Sequence, residues 1–225
     1  NIPLRADQRT EIEKLVADGE ARQASVVTAH KDVMLTLADQ IEKGSIDRTA
    51  LQPKIAAASA AHGTIVAENQ AALTRLHDLL TPDQRNNFVD AMQSAGKEAH
   101  EHGAKHGFAA MKQWKDDLKL TDDQVSQIKD VLHGEHKGRD MKAVGKDFKA
   151  DMETRKAALE TFRTEKFDAQ GLAHPVDANK VSKGTEHFVG VAEKILPILT
   201  AEQRTIAANK IREMAAKGEM GPLGH

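Results

Sequence analysis

Apolar side chains recur every three or four positions over long stretches of the chain, which is the spacing of one face of an α-helix. The pattern predicts four helices in each half of the sequence. Two long seams carry it: Val26, His30, Val33, Leu37 and Ile41 in the first half, and Met141, Val144, Phe148, Leu159 and Phe162 in the second. The predicted helices span about residues 6–18, 20–43, 47–79 and 82–99, then 122–133, 135–166, 177–196 and 201–216. Gly44 and Asp47 are the expected C-cap and N-cap of the first long turn.

Three predicted helix starts share the short motif Leu-Thr-x-x-Gln. It occurs at Leu80, Thr81 and Gln84, at Leu120, Thr121 and Gln124, and at Leu199, Thr200 and Gln203. In each copy the Thr hydroxyl is placed to cap the helix and the Gln side chain reaches back to the Thr amide, which is a capping box. A fourth, degenerate copy runs from Leu4 to Gln8 with Arg5 in place of Thr, and we expect that helix end to fray.

The motif copies also indicate an internal repeat. Gln8 and Gln124 are 116 positions apart, Gln84 and Gln203 are 119 apart, and the apolar residues after each Gln keep the same helical offsets. The sequence therefore predicts a tandem duplication. We expect a first module at residues 1–102, a linker or helical connection at 103–118, a second module at 119–217 and a flexible tail at 218–225.

The composition favours an all-α fold without a β-sheet. Only 3% of the residues are aromatic, Tyr is absent, and Gly and Pro number 15 and 6. Strand-rich folds favour β-branched and aromatic residues and use more turn residues. The net charge of -2 predicts no nucleic-acid partner. The absence of Cys excludes disulfides and thiolate chemistry and is compatible with an oxidising compartment.

No apolar run approaches the roughly 20 residues that a membrane-spanning helix needs. The chain begins with Asn1 rather than Met, which leaves open that a signal peptide or lipid anchor preceded it.

Two Leu-Thr-x-x-Gln boxes that bracket about four helices resemble the periplasmic Spy/CpxP family, and the resemblance covers nearly the whole chain twice. Members of that family are all-helical, cysteine-poor and commonly homodimeric. The resemblance implies two four-helix modules forming an intramolecular pseudo-dimer, and it leaves further dimerisation open. It also implies a periplasmic stress-response protein, either an ATP-independent chaperone for unfolded envelope proteins or a metal- or stress-sensing adaptor with a sensor-kinase partner.

A chaperone surface needs apolar side chains that remain partly accessible beside charged ones. The candidate client-binding residues are Val33, Leu37, Met141, Phe148, Met152 and Phe162, and the flanking cations are Lys142, Lys146, Lys149 and Arg155. The alternative is that these apolar residues are buried in a passive bundle. The sequence has no Gly-rich Walker loop, which agrees with a function that uses no nucleotide.

The eleven histidines offer a different chemistry. His102 and His106 are four positions apart on one predicted helical face, a spacing that suits a zinc or copper ion. A second cluster, Asp130, His133 and His136, is interrupted by Gly134. The alternative is a solvated surface with no cofactor, because two imidazoles without a third ligand bind metal weakly. The isolated residues His30, His62, His77 and His187 are interpreted as ordinary residues at the edge of the core.

An enzymatic function is not predicted. A di-iron helical bundle needs Glu-x-x-His on two helices, and no Glu in this sequence has a His three positions later. No Ser or Thr stands in a known nucleophile motif, and the acidic pairs Asp116–Asp117 and Asp122–Asp123 are interpreted as linker and cap residues.

Overall fold

The computed structural model describes residues 3–137, 141–172 and 178–218. Within these ranges the side chains of 97–111, 136–137, 141–145, 147–148 and 178–181 are not described. The described part of the chain is all-helical and contains no strand, as predicted. Its elements are α1 (Ala6–Lys43), α2 (Arg48–Leu79), α3 (Pro82–Asp117), α4 (Asp122–Lys137), α5 (Met141–Thr161), α6 (Ala169–Leu172), α7 (Ala178–Ile195), a 3-10 turn (Leu196–Ile198) and α8 (Ala201–Ala216). Across these ranges, no helix is long and apolar enough to cross a membrane.

Several predicted helix bounds are wrong. The predicted helices at 6–18 and 20–43 are one helix, α1, because Gly19 lies in the helix interior, where its missing side chain only lowers helix propensity. The helix predicted at 82–99 is longer, since α3 continues to Asp117, and the connection predicted at 103–118 as a linker or a helical segment is helical as far as that residue. The helix predicted at 135–166 covers the end of α4 and, after residues 138–140, which lie outside the described part of the chain, α5; α5 ends at Thr161, and Phe162 begins a turn.

The turn between α1 and α2 follows its sequence signals. Gly44 adopts a left-handed φ of 81°, which a residue without Cβ adopts at no steric cost. The backbone amides of Thr49 and Ala50 donate to Oδ1 of Asp47 at 2.9 and 3.2 Å. Asp47 is therefore the predicted N-cap of α2.

The chain divides into two compact units, each built from three separate segments. Unit 1 comprises Asn1–Gln23, Thr64–Phe108 and Lys142–Val176, and unit 2 comprises Ala24–Gly63, Ala109–Met141 and Asp177–His225. These units do not follow the modules predicted at 1–102 and 119–217, because the long helices α1, α2 and α3 each contribute residues to both. A repeat in sequence therefore does not by itself fix which segments pack together.

Unit 1 has a small aromatic core around Phe162, which is completely buried with Leu80 and Val89. The ring of Phe162 lies 4.8 Å from those of Phe88 and Phe167, measured between centroids. Partly buried residues that complete this core are Leu4, Ile12, Leu76, Leu159 and Leu172.

Unit 2 has a larger aliphatic core. Its buried residues include Val33, Leu37 and Ile41 of α1, Leu51 and Ile55 of α2, Val189 of α7, and Ala207 and Ile211 of α8. Leu118, Leu196 and Leu199 close it at the helix ends. The seam predicted along the second half of α1 is thus a core-facing surface of unit 2.

Candidate functional site

The three intact Leu-Thr-x-x-Gln motifs form the predicted capping boxes. The amide of Thr200 donates to Oε1 of Gln203 at 2.9 Å, and the amide of Gln203 donates to the Thr200 hydroxyl at 3.2 Å. The same two bonds join Thr121 with Gln124 and Thr81 with Gln84. Each box therefore satisfies two amides that a helix start would otherwise leave without an intrahelical partner.

The degenerate first box keeps half of this arrangement. The amide of Arg5 donates to Oε1 of Gln8 at 3.0 Å, although Arg5 has no hydroxyl to return a bond. Its guanidinium instead reaches the exposed carboxylate of Asp7 at 3.2 Å and lowers the pKa of that group. Gln8 is nevertheless fully buried, so the loss of Thr has not removed Gln from its place.

In unit 1 the two motif glutamines meet each other. Nε2 of Gln8 donates to Oε1 of Gln84 at 2.9 Å, and Nε2 of Gln84 donates to Oε1 of Gln8 at 3.1 Å. The second hydrogens of the two amides go to the carbonyls of Leu79, at 2.5 Å, and Pro3, at 2.6 Å. Each Oε1 also accepts its capping bond, so both buried amides use all their donors and acceptors.

Unit 2 contains a second pair with the same geometry. Gln124 and Gln203 exchange Nε2 to Oε1 bonds of 2.8 and 3.0 Å. Their remaining hydrogens are donated to the carbonyls of Ile198, at 2.8 Å, and Leu118, at 3.1 Å. Each motif Gln thus caps its own helix and also binds the start of another.

Sequence reasoning found the caps but not the pairing. The available signal was the recurrence of Gln at one fixed motif position in four copies, which a cap alone does not require, since Glu serves equally in a capping box. A neutral amide pair has no nucleophile and no titratable group. We therefore interpret these pairs as structural clamps, and any binding chemistry must come from other residues.

The proposed client-binding residues do not share one environment. Val33, Leu37 and Phe162 have 0% exposure and are core residues, so the expectation that they remain partly accessible is wrong. Met152 on α5 is 51% exposed, as that expectation requires. The side chains of Met141 and Phe148 lie outside the description.

Sequence reasoning missed two other exposed apolar residues. Val16 and Met92 are 55% and 47% exposed, and with Met152 they all belong to unit 1. No sequence signal distinguishes them, because each lies at a helical spacing that also suits a core position. Met152 lies on a basic stretch of α5, where Lys146, Lys149 and Arg155 are exposed and the side chain of Lys142 is undescribed.

The histidines fall into three groups. The side chains of the candidate metal ligands His102 and His106 are not described. In the second candidate cluster, Asp130 and His133 are exposed and the side chain of His136 is not described. His77 is a core residue of unit 1, where Nε2 binds the Thr164 carbonyl at 2.8 Å and the ring stacks on Phe167. Where side chains are described, no cluster of three or more His, Asp or Glu residues is arranged to hold a metal ion.

Three other histidines whose side chains are described make specific contacts in unit 2. His187 lies 3.3 Å from the carboxylate of Glu135. His30 and His62 face each other across α1 and α2, with their Nε2 atoms 2.8 Å apart. Burial lowers the pKa of both rings, and the neighbouring charge of His62 lowers the pKa of His30 further.

Comparisons of the chain with protein-family models, curated proteins and solved structures find no match. The functional interpretation therefore depends on the residues and geometry described above and on the motif resemblance.

Proposed function

We propose that this protein is an ATP-independent periplasmic chaperone that holds unfolded or damaged envelope proteins on an exposed helical surface. We further propose that its two repeated Spy/CpxP-like modules form an intramolecular pseudo-dimer. Neither the chaperone function nor the pseudo-dimer arrangement requires an active site or a cofactor.

The composition of the units supports the pseudo-dimer. Unit 1 contains both motif boxes of the first half together with residues 142–176 of the second half. Unit 2 contains both boxes of the second half together with residues 24–63 of the first. The repeat offsets of 116 and 119 positions align 24–63 with a segment that includes 142–176. The halves thus exchange equivalent segments, as two chains do in a domain-swapped dimer.

The exposed apolar side chains of unit 1 are the observation that carries the chaperone proposal. A methionine on a helix surface is flexible and polarizable, so it adapts to clients of different sequence. Met92 and Met152 are each about half exposed in a unit whose aromatic core is otherwise closed. They provide weak apolar contact without the specificity of a shaped pocket.

The basic side chains near Met152 support the same function. Lys149 lies 3.9 Å from Glu153, and both side chains are highly exposed, so solvent screens this pair strongly. Charges of this kind increase the rate of encounter with oppositely charged clients and keep the free protein soluble. Release then follows client folding, because the sequence carries no nucleotide-binding loop.

Light scattering tests the proposal. A chemically denatured client is diluted with an equal amount of protein and no ATP, and we expect its aggregation to be suppressed. Met92→Ser with Met152→Ser should weaken suppression, because both substitutions remove exposed apolar surface. Thr154→Ser on α5, which is also exposed, is the matched control and should retain it. Unsuppressed aggregation by the native protein contradicts the proposal.

The alternative function is an envelope metal- or stress-sensing adaptor that uses His102 and His106 and acts through a sensor kinase. The spacing of these two histidines, on a helix that the structure extends through them, favours this candidate. Calorimetry with zinc and copper decides it. Replacing both with Ala should abolish a binding event tighter than about 100 μM, and unchanged binding removes this site.

A further inference from the structure

We propose that His30 and His62 form a binding site for a monovalent copper ion in unit 2. The rings project from α1 and α2, which are antiparallel neighbours around the Gly44 turn, and their Nε2 atoms lie 2.8 Å apart. The ring centroids are 5.0 Å apart and the planes are nearly perpendicular, at 79°. Two imidazole nitrogens, one from each helix, therefore point at the same place.

The contact between the rings already requires a nitrogen lone pair, as a metal ligand does. Only a neutral imidazole offers one, and the 2.8 Å distance between the Nε2 atoms is that of a hydrogen bond in which one nitrogen accepts. In the metal-free pair one Nε2–H donates to the other Nε2. When the ion binds, that hydrogen moves to Nδ1 of the same ring, so both Nε2 lone pairs reach the metal and no net proton is released.

The rings must separate to admit an ion. Metal to imidazole nitrogen distances are about 2.0 Å, so a linear complex places the two nitrogens about 4 Å apart. His62 is only partly buried, whereas His30 is 3% exposed, so His62 is the ring with room to move. A side-chain rotation of His62 opens the pair without displacing the core around His30.

The number and charge of the available ligands favour copper(I) over zinc. Zinc sites usually have four ligands, whereas copper(I) is stable with two nitrogen donors. The described part of the chain contains no third His or acidic ligand grouped with this pair. The solvation cost of burying an ion rises with the square of its charge, so a monovalent ion is favoured where no carboxylate compensates. Met34, one turn after His30 on α1, adds a buried soft thioether to the same helical face.

Two buried polar atoms of α1 and α2, one of them in the pair itself, lack a partner in the described part of the chain. Nδ1 of His30 and Oγ of Ser59 are buried and have no hydrogen-bond partner among the described residues. Each such group costs about 1–3 kcal/mol, which two apolar side chains would avoid. The metal-free arrangement is therefore not optimised for stability, and an ion held by the two Nε2 atoms would stabilise the folded protein by mass action.

Competition for copper(I) tests the site independently of the chaperone proposal. The full chain carrying His102→Ala and His106→Ala, which lacks the candidate pair of α3, is titrated anaerobically with copper(I) against a chromogenic chelator. We expect one bound ion, and addition of His62→Gln should weaken binding by more than about tenfold. His133→Gln, an exposed histidine of the same unit, is the matched control and should leave the affinity unchanged.

X-ray absorption on the copper-loaded His102→Ala, His106→Ala protein provides a second measurement that does not depend on a folded His62 variant. Scattering from two imidazoles per copper supports the site. The proposal is overturned if this protein binds no copper(I), if folded His62→Gln binds it equally well, if the spectrum lacks two imidazoles, or if zinc binds the pair more tightly.

Discussion

Replacing Gln84 with Ala should destabilise the protein by about 2–4 kcal/mol, far more than an ordinary substitution in a polar side chain. The change removes the side-chain acceptor of the Thr81 amide and the partners of Gln8 and of the Pro3 carbonyl, while the backbone amide at position 84 still donates to the Thr81 hydroxyl. Loss of the capping bond costs about 1 kcal/mol. The Gln8 amide and the Pro3 carbonyl left unpaired add about 1–3 kcal/mol together, because the bond to Pro3 is only partly buried. The cost is at the lower end of about 2–4 kcal/mol if water enters the space left by the Gln84 side chain.

The measurement is urea unfolding followed by helical circular dichroism, with variants compared only where the slope with denaturant is unchanged. Gln93→Ala is the matched control, because Gln93 lies on the same helix but bonds an exposed carboxylate, and it should cost no more than about 0.5 kcal/mol.

A double-mutant cycle isolates the glutamine pair. Gln8→Ala with Gln84→Ala should cost about 0.5–3 kcal/mol less than the two single changes added together, because the second truncation removes a group that the first left unpaired. Additive effects, or a Gln84→Ala cost no larger than that of Gln93→Ala, would refute the interpretation of the pair as a clamp.

Three further outcomes are expected from urea midpoints. Gly44→Ala should destabilise the folded protein by about 1 kcal/mol or more, because Gly44 has a positive φ and a Cβ would lie 3.2 Å from the Arg204 side chain. An unchanged urea midpoint would contradict this expectation. Arg5→Thr should restore the fourth capping box and stabilise by about 1 kcal/mol, with Arg9→Thr as a control outside the cap. Stability should fall as pH decreases below about 6.5, because the unfolded histidines bind protons there that folded His30 and His62, whose pKa burial lowers, resist. The loss is complete below the folded pKa, and His62→Gln should flatten the profile.

Helix type and capping were predictable from the sequence because both depend on residues that are close along the chain. Thr200, Gln203 and the acidic Glu202 determine the start of α8 within four positions. The joining of two predicted helices into α1 was not predictable in the same way. Gly19 weakens a helix locally, but packing along the rest of α1 compensates for a cost of about 1 kcal/mol.

The exposure of individual apolar residues could not be predicted, because periodicity identifies an apolar face but not what covers it. Phe162 and Met152 both belong to the second half of the chain and both suit a core position by spacing, yet one is fully buried and the other half exposed. Phe162 follows the last residue of α5, so the turn brings it against Phe88 and Phe167, whereas Met152 remains on the helix surface. Only the tertiary arrangement separates these outcomes.

The glutamine pairs explain how a chain with two motif boxes in each half can specify which box pairs with which. A capping box alone is interchangeable, since every copy satisfies its own helix start in the same way. The reciprocal amide bonds add a requirement that two boxes meet, and they bury both side chains, as with Gln8 and Gln84. Incorrect pairing would leave several buried amide groups without hydrogen bonds. The free-energy cost of those unpaired groups is larger than the net stabilisation that the correct pair contributes. Because both boxes of each pair come from the same half of the chain, pairing follows the repeat even though the segments packed around each pair come from both halves.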